Sequence, residues 1–280
     1  MKPLRVIAAI AALGFAVMAY VYVTLPDVRV LATRNPTTTA WMEMRAREAA
    51  AAGKSPRRVQ RWVPYTRIAQ NLKRAVLAAE DDAFFQHEGV DLEQLKTAIE
   101  QDLQKGRTPR GASTITQQLA KNLYLSPSRD PLRKLRELMI ARRLETALSK
   151  ARIFEIYLNV IEWGDGIWGA EAAARTYFST SAASLSREQA ALLAGSIINP
   201  RVYSPARPPA RLLRRQAIIL GRMGGFEPPP AVPVAQPAAP ADVPPDQATP
   251  ATNDQGQSPT EPAATPESSS VSPTAEPVSP

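Results

Sequence analysis

The sequence predicts a mostly α-helical domain, preceded by one N-terminal transmembrane helix and followed by a disordered tail. Three observations predict it. Apolar residues recur at helical spacing between residues 70 and 223, and no run alternates apolar with polar over a useful strand length. Residues 6–25, VIAAIAALGFAVMAYVYVTL, carry no charge. From Glu227 onward the chain is mainly Pro, Ala, Ser, Thr and Glu, and fifteen of its 27 prolines lie there.

The apolar stretch comes first. At about 1.5 Å per residue, roughly 20 helical residues cross the ~30 Å hydrocarbon layer. Lys2 and Arg5 precede it, which places residues 1–5 in the cytoplasm and the rest of the chain outside. A cleaved signal peptide is the competing reading. The apolar run is long for one, and the candidate cleavage site Val30-Leu31-Ala32 lies beyond the charged Arg29, so an anchor is expected. Residues 26–60 read as a membrane-proximal linker. They hold a helix capped by Thr38 or Thr39 and ending near Gly53. Trp41, Met42 and Met44 of that helix face either the bilayer surface or the domain.

The domain itself is expected over 61–226. Its first helix, NLKRAVLAAED, has Leu72, Ala75, Val76 and Ala79 at helical spacing and delivers Glu80. Residues 90–112 are polar, and Gly106, Pro109 and Gly111 mark a mobile loop. The next helix aligns Thr114, Gln118 and Lys121 on one face, with Ile115, Leu119 and Leu123 packing on the neighbouring one. A break at SPSRDP follows, with Asp130 as N-cap and Pro131 in the first helical position. A long helix then runs from 132 to about 149, with Leu135, Met139, Leu144 and Leu148 inward. A further helix covers 151–159, EWGDGIWG makes a turn, and AEAAARTYF and SREQAALLAGSII form two more helices. Ser186 and Gln189 fit a capping box at the start of the latter. PARLLRRQAIILGRM is the last helix. The tail, 227–280, cannot bury enough apolar surface to offset its ordering entropy.

Charge narrows the partners. The first 226 residues carry 34 basic against 19 acidic side chains, a net of +15, while the tail carries −7. A basic body suits an anionic partner. Neither a nucleic-acid module nor basic residues interleaved with stacking aromatics is present, so no nucleic-acid partner is expected. The absence of cysteine excludes disulfides and thiolate metal sites, and a single histidine excludes a His-rich metal site.

Four motifs carry the chemistry. Glu80, Asp81, Phe84, His87, Gly89 and Asp91 make an ED-x-x-F-x-x-H-x-G-x-D run. GASTITQQLAKN spans 111–122, Arg133, Lys134 and Glu137 make RK-x-x-E, and Arg152 to Asn159 read R-I-x-E-x-Y-L-N. Taken singly, a carboxylate at a helix end or an Arg–Glu pair at i, i+4 is usually a solvated charge. In this order and spacing they resemble the signature motifs of the family 51 glycosyltransferases, the peptidoglycan transglycosylases, over about residues 35–225. The resemblance implies a lysozyme-like fold and a donor that is a growing glycan on undecaprenyl diphosphate. It implies lipid II as the acceptor and a β-1,4 product formed with inversion. Inversion needs groups on both sides of the reacting carbon and no covalent glycosyl-enzyme.

By the same resemblance Glu80 is the general base on the acceptor hydroxyl, and its apolar neighbours Ala79 and Phe84 would raise its pKa on burial. Glu137 acts at the leaving diphosphate, with Arg133 and Lys121 or through a divalent ion, Mg2+ or Mn2+. No organic cofactor is implied. Lys121, Arg133 and Lys134 are the candidate diphosphate ligands. Asp81, Phe84, His87, Gly111, Thr114 and Gln118 complete the substrate site; Asp81 supports it, Phe84 and His87 shape the turn, and Thr114 and Gln118 contact sugar or phosphate. Asn122 and Glu155 read as structural. The tail leaves no room for the penicillin-binding domain of larger relatives, so one enzyme is expected in the bacterial inner membrane, with other cell-wall synthesis or division proteins as candidate partners. Two other functions share these features: a lysozyme-like enzyme that cleaves glycan, and a silent scaffold that binds lipid II. The extra cations and the second carboxylate favour synthesis.

Overall fold

A computed structural model of the chain describes residues 2–90, 96, 113–127 and 131–225. Asp91, the loop residues Gly106, Pro109 and Gly111, the expected cap Asp130 and the tail 227–280 lie outside them. Among the described residues the helices are α1 (Lys2–Val23), α2 (Ala40–Ala51), α3 (Gln70–Glu80), α4 (Ile115–Tyr124), α5 (Pro131–Ala147), α6 (Lys150–Val160), α7 (Ala170–Phe178), α8 (Arg187–Ser196) and α9 (Ala210–Arg222).

The helix ends follow from local chemistry. Thr39, Thr114, Ser149 and Ser186 sit in extended backbone, and each side-chain oxygen accepts an N–H of the first turn that follows. This satisfies donors that a helix start otherwise leaves unpaired. The capping box expected at Ser186 and Gln189 is present.

α6 is the centre of the domain. From Arg152 to Val160 every residue is buried. Two of its polar side chains tie down the preceding chain. Arg152 donates to the carbonyls of Leu31 and Arg34 and to Asn35, and pairs with Glu155, which accepts the N–H of Tyr65. Asn159 brackets Val63, accepting its N–H and donating to its carbonyl. A buried ionic group stands only when its partners are all supplied, and here they are. α4 packs on α5 and α6, α8 packs on α3 and α9, and α2 lies against α4.

Three features depart from the sequence reading. The turn EWGDGIWG is a small hairpin, β2 (Glu162–Gly164) with β3 (Ile167–Trp168), and β1 (Val59–Gln60) adds to β3 in parallel. Strands of two or three residues are too short to show alternation. The hairpin closes tightly on α6: Gly169 has φ +83°, and a Cβ there would lie 2.6 Å from the Asn159 carbonyl oxygen. On α5, Leu135 and Met139 are only partly covered, and the buried stripe is Glu137, Ile140, Ala141, Leu144 and Leu148. The buried stripe thus carries a carboxylate, Glu137.

The third is the linker. Val28, Leu31 and Met42 from 26–60 belong to the same buried cluster as Tyr65, Leu72 and Phe154, together with Val21 and Leu25 from the apolar helix and its exit. The Arg143 guanidinium of α5 donates to the carbonyls of Tyr22, Leu25 and Pro26. The rest of α1 exposes its large apolar side chains, among them Leu4, Ile7, Ile10, Leu13 and Phe15. It is the one described helix long and apolar enough to cross a membrane.

Candidate active site

α3 ends at Glu80 because Asp81 leaves the helical region, with φ −169° and ψ 86°. The Asp81 carboxylate turns toward the start of α4, accepts the N–H of Ile115 at 2.9 Å and meets His87 Nε2 at 2.9 Å. An anion at a helix N-terminus is favourably placed against the helix dipole. The intervening turn is filled by Phe84, fully buried against Phe85 and Phe154. It closes at Gly89, whose φ of +82° suits glycine and whose carbonyl accepts from the Thr114 hydroxyl at 2.7 Å and the Gln117 amide at 3.1 Å.

Asp81, Phe84 and Thr114 are buried, and part-buried His87 is held by Asp81. The Thr114 hydroxyl is taken up by Gly89 and by its capping bond to Gln117. Its spacing from Gln118 and Lys121 places it on the right helical face, but as the cap residue it bonds to backbone. Gly111 lies outside the described residues.

Gln118 and Lys121 do face the carboxylates. Gln118 Nε2 donates to Glu80 Oε2 at 2.9 Å. The Tyr157 hydroxyl donates to Gln118 Oε1 at 2.9 Å, which fixes the amide with its N–H side toward Glu80. The other oxygen of Glu80 accepts from Arg215 of α9 at 3.1 Å. Burial lifts the Glu80 carboxyl above its ordinary pKa; Gln118, Arg215 and Lys121 pull it back without cancelling the rise. A carboxylate poised this way is a stronger base than a solvated one.

Lys121 stands between Glu80 and Glu137 and feels the attraction of both. Burial lowers its ammonium pKa; Glu137 and Glu80 oppose that, while Arg133 and Lys134 add to it. Glu137 is 3% exposed. One of its oxygens accepts from Arg133 at 2.7 Å and the other from Lys134, which also donates to Gln117 at 2.9 Å. The result is a strip of four cations, Lys121, Arg133, Lys134 and Arg215, around two carboxylates. The surplus positive charge suits a dianionic ligand such as a diphosphate.

The structure gives the expected divalent ion no built site. Among the described residues no group of three or more His, Asp or Glu side chains gathers to hold a metal, and both Glu137 oxygens are engaged by cations. The described residues therefore offer no ready ligand set for a resident ion.

Arg215, Tyr157 and Trp41 join the site without having been assigned to it. Tyr157 lies within the fourth motif. Arg215 carried a readable signal: it sits between Leu212 and Ile219 on the buried stripe of α9, where a charge needs a partner. Asn122 bonds back to the Gln118 carbonyl, and Glu155 holds Arg152 and Tyr65, both within the fold.

Comparison with known proteins gives the family. Residues 47–224 match the transglycosylase family. The chain is 52% identical over 189 residues to a biosynthetic peptidoglycan transglycosylase of Dechloromonas aromatica (strain RCB), covering 68% of this chain and 82% of the relative. A protein of the same name from Laribacter hongkongensis (strain HLHK9) is 52% identical over 189 residues, covering 68% and 83%. A third, from Chromobacterium violaceum, is 53% identical over 167 residues, covering 60% and 73%. With the family matched over most of the domain and relatives at this identity covered over most of their length, the chain belongs to the transglycosylase family.

Proposed function

We propose that this transglycosylase polymerises lipid II into β-1,4 glycan from the outer face of the bacterial inner membrane, held there by α1. The observation that carries the reading is Glu80: a carboxylate lifted by burial, oriented on one oxygen by Gln118 and on the other by Arg215, beside a strip of cations. In the reaction Glu80 takes the proton of the acceptor sugar's 4-hydroxyl as that oxygen bonds to the anomeric carbon of the donor. The bond from that carbon to the diphosphate breaks on the opposite side. The leaving diphosphate keeps the electron pair, and Lys121, Arg133 and Lys134 balance its charge. Inversion follows from a single displacement.

Glu137 then acts through its neighbours. Both of its oxygens are committed, so it sets Arg133 and Lys134 in place and does not itself meet the substrate. Asp81, Phe84, His87 and Thr114 form the scaffold that fixes the Glu80 turn against α4. Lipid-linked donor and anchored enzyme share one surface, which raises their encounter rate. Incubation of the full chain with labelled lipid II in detergent tests the proposal. Long glycan is expected; cleavage of preformed glycan would make the protein a hydrolase or lyase, and neither product would make it a binding scaffold.

A further inference from the structure

α2 brings Trp41 against the active-site face of α4, although nothing in the four motifs points to it. The indole ring lies 5.2 Å from Lys121 Nζ, within the range of a cation–π contact. The same ring is 5.5 Å from the Arg45 guanidinium, but Arg45 is already paired with Glu48 and Glu162. Lys121 makes no hydrogen bond or ion pair among the described residues. The charged groups around it are Glu80 from α3, Arg133, Lys134 and Glu137 from α5, and Arg45 from α2. Arg133 and Lys134 are bonded to Glu137, and Glu80 is bonded to Arg215. Lys121 is thus the cation of the strip that an aromatic face holds in place of a carboxylate.

The difference matters chemically. An ammonium seated on Glu80 would add to the pull of Arg215 and weaken the base further, and would have to break that pair to meet a diphosphate. An ammonium over a ring keeps its full charge and its three N–H donors. We propose that Trp41 is a positioning residue for Lys121: its ring holds the ammonium between Glu80 and Glu137 without neutralising it, so that it is ready for the donor diphosphate. The inference rests on the diphosphate-donor reading above and adds α2 to the working parts of the site.

The test uses the full chain and a non-reactive lipid-linked diphosphate as probe. Trp41→Leu keeps apolar bulk and removes the ring; Trp41→Phe keeps a ring. Trp41→Leu is expected to weaken probe binding by about 3- to 30-fold, the usual span of a cation–π contact, with Trp41→Phe recovering most of it. In a Lys121→Met background, Trp41→Leu should cause no further loss. Equal losses with and without Lys121 would mean that the ring acts only through packing, and would overturn the proposal. A second readout needs no substrate: reductive methylation of Lys121 followed against pH by mass spectrometry. Without the ring Lys121 should collapse onto a carboxylate and titrate at higher pH; an unchanged titration overturns the proposal. If the wild-type chain makes no glycan from lipid II, the functional reading fails, while the Lys121 titration still decides the role of Trp41.

Discussion

Replacing Arg215 by Met should move the pH dependence of the enzyme in a direction the structure fixes. Arg215 donates to Glu80 at 3.1 Å, and the two side chains are 30% and 12% exposed. Burial raises the Glu80 pKa, and Arg215 is among the groups holding it down. Removing it leaves Gln118 and Lys121 as the opposition. A hydrogen bond between charged partners is worth about 1.5–3 kcal/mol, and losing it disfavours the charged carboxylate. The Glu80 pKa should therefore rise further. A base works only when deprotonated, so the acidic limb of the rate profile should move to higher pH. Loss of activity should be greatest at low pH and recover as pH rises. The assay is initial polymerisation rate of lipid II against pH, at saturating substrate, for wild type and Arg215→Met. An acidic limb that stays in place or moves to lower pH would refute the assignment of Arg215 as the tuner of Glu80.

Three further outcomes follow from the same contacts. Asp81→Ala orphans the buried Ile115 N–H and frees His87, so denaturant unfolding should show a loss of about 2–4 kcal/mol; unchanged stability would return Asp81 to the list of candidate bases. A chain beginning at Asp27 loses the packing of Val21 and Leu25 and all three carbonyl acceptors of Arg143, and should unfold at lower temperature than one beginning at Tyr20; equal melting would make α1 a mere tether. Glu137→Gln loosens the carboxylate that sets Arg133 and Lys134 in place, so donor-analogue binding should weaken by about tenfold, a ~1.4 kcal/mol effect, and added Mg2+ or Mn2+ should not restore it, because both Glu137 oxygens serve Arg133 and Lys134; rescue by metal would place an ion at that carboxylate.

The helices were readable because burial imposes a period on them. Leu72, Ala75 and Val76, then Ile115, Leu119 and Leu123, mark the packed faces of α3 and α4, and Thr39 and Ser186 mark helix starts by residue type alone. The sheet was not readable, since pairing of Val59–Gln60 with Ile167–Trp168 joins segments far apart in sequence and too short for a pattern. In the site, Glu80, Gln118, Lys121, Arg133 and Lys134 were legible from motif and helical face. Thr114 was not legible as a cap, because a hydroxyl at that position satisfies either a ligand or the backbone. The spacing of Arg215 from Leu212 and Ile219 separates it from Arg211 and Arg214 on the same helix, but its meeting with Glu80 comes only from tertiary packing. Trp41 needed the docking of α2 on α4, which no local pattern encodes.

The central claim is that Glu80 is the base of a glycan-forming displacement. Glu80→Gln keeps the size of the side chain and an acceptor for Arg215, but it cannot take the proton of the acceptor hydroxyl. The decisive measurement is single-turnover glycan formation from lipid II by Glu80→Gln, alongside binding of the non-reactive donor. Loss of a general base typically costs about 10²–10⁴-fold, so turnover should fall by that factor while donor binding stays within a few-fold of wild type. Near-normal turnover with an unchanged pH profile would contradict the account.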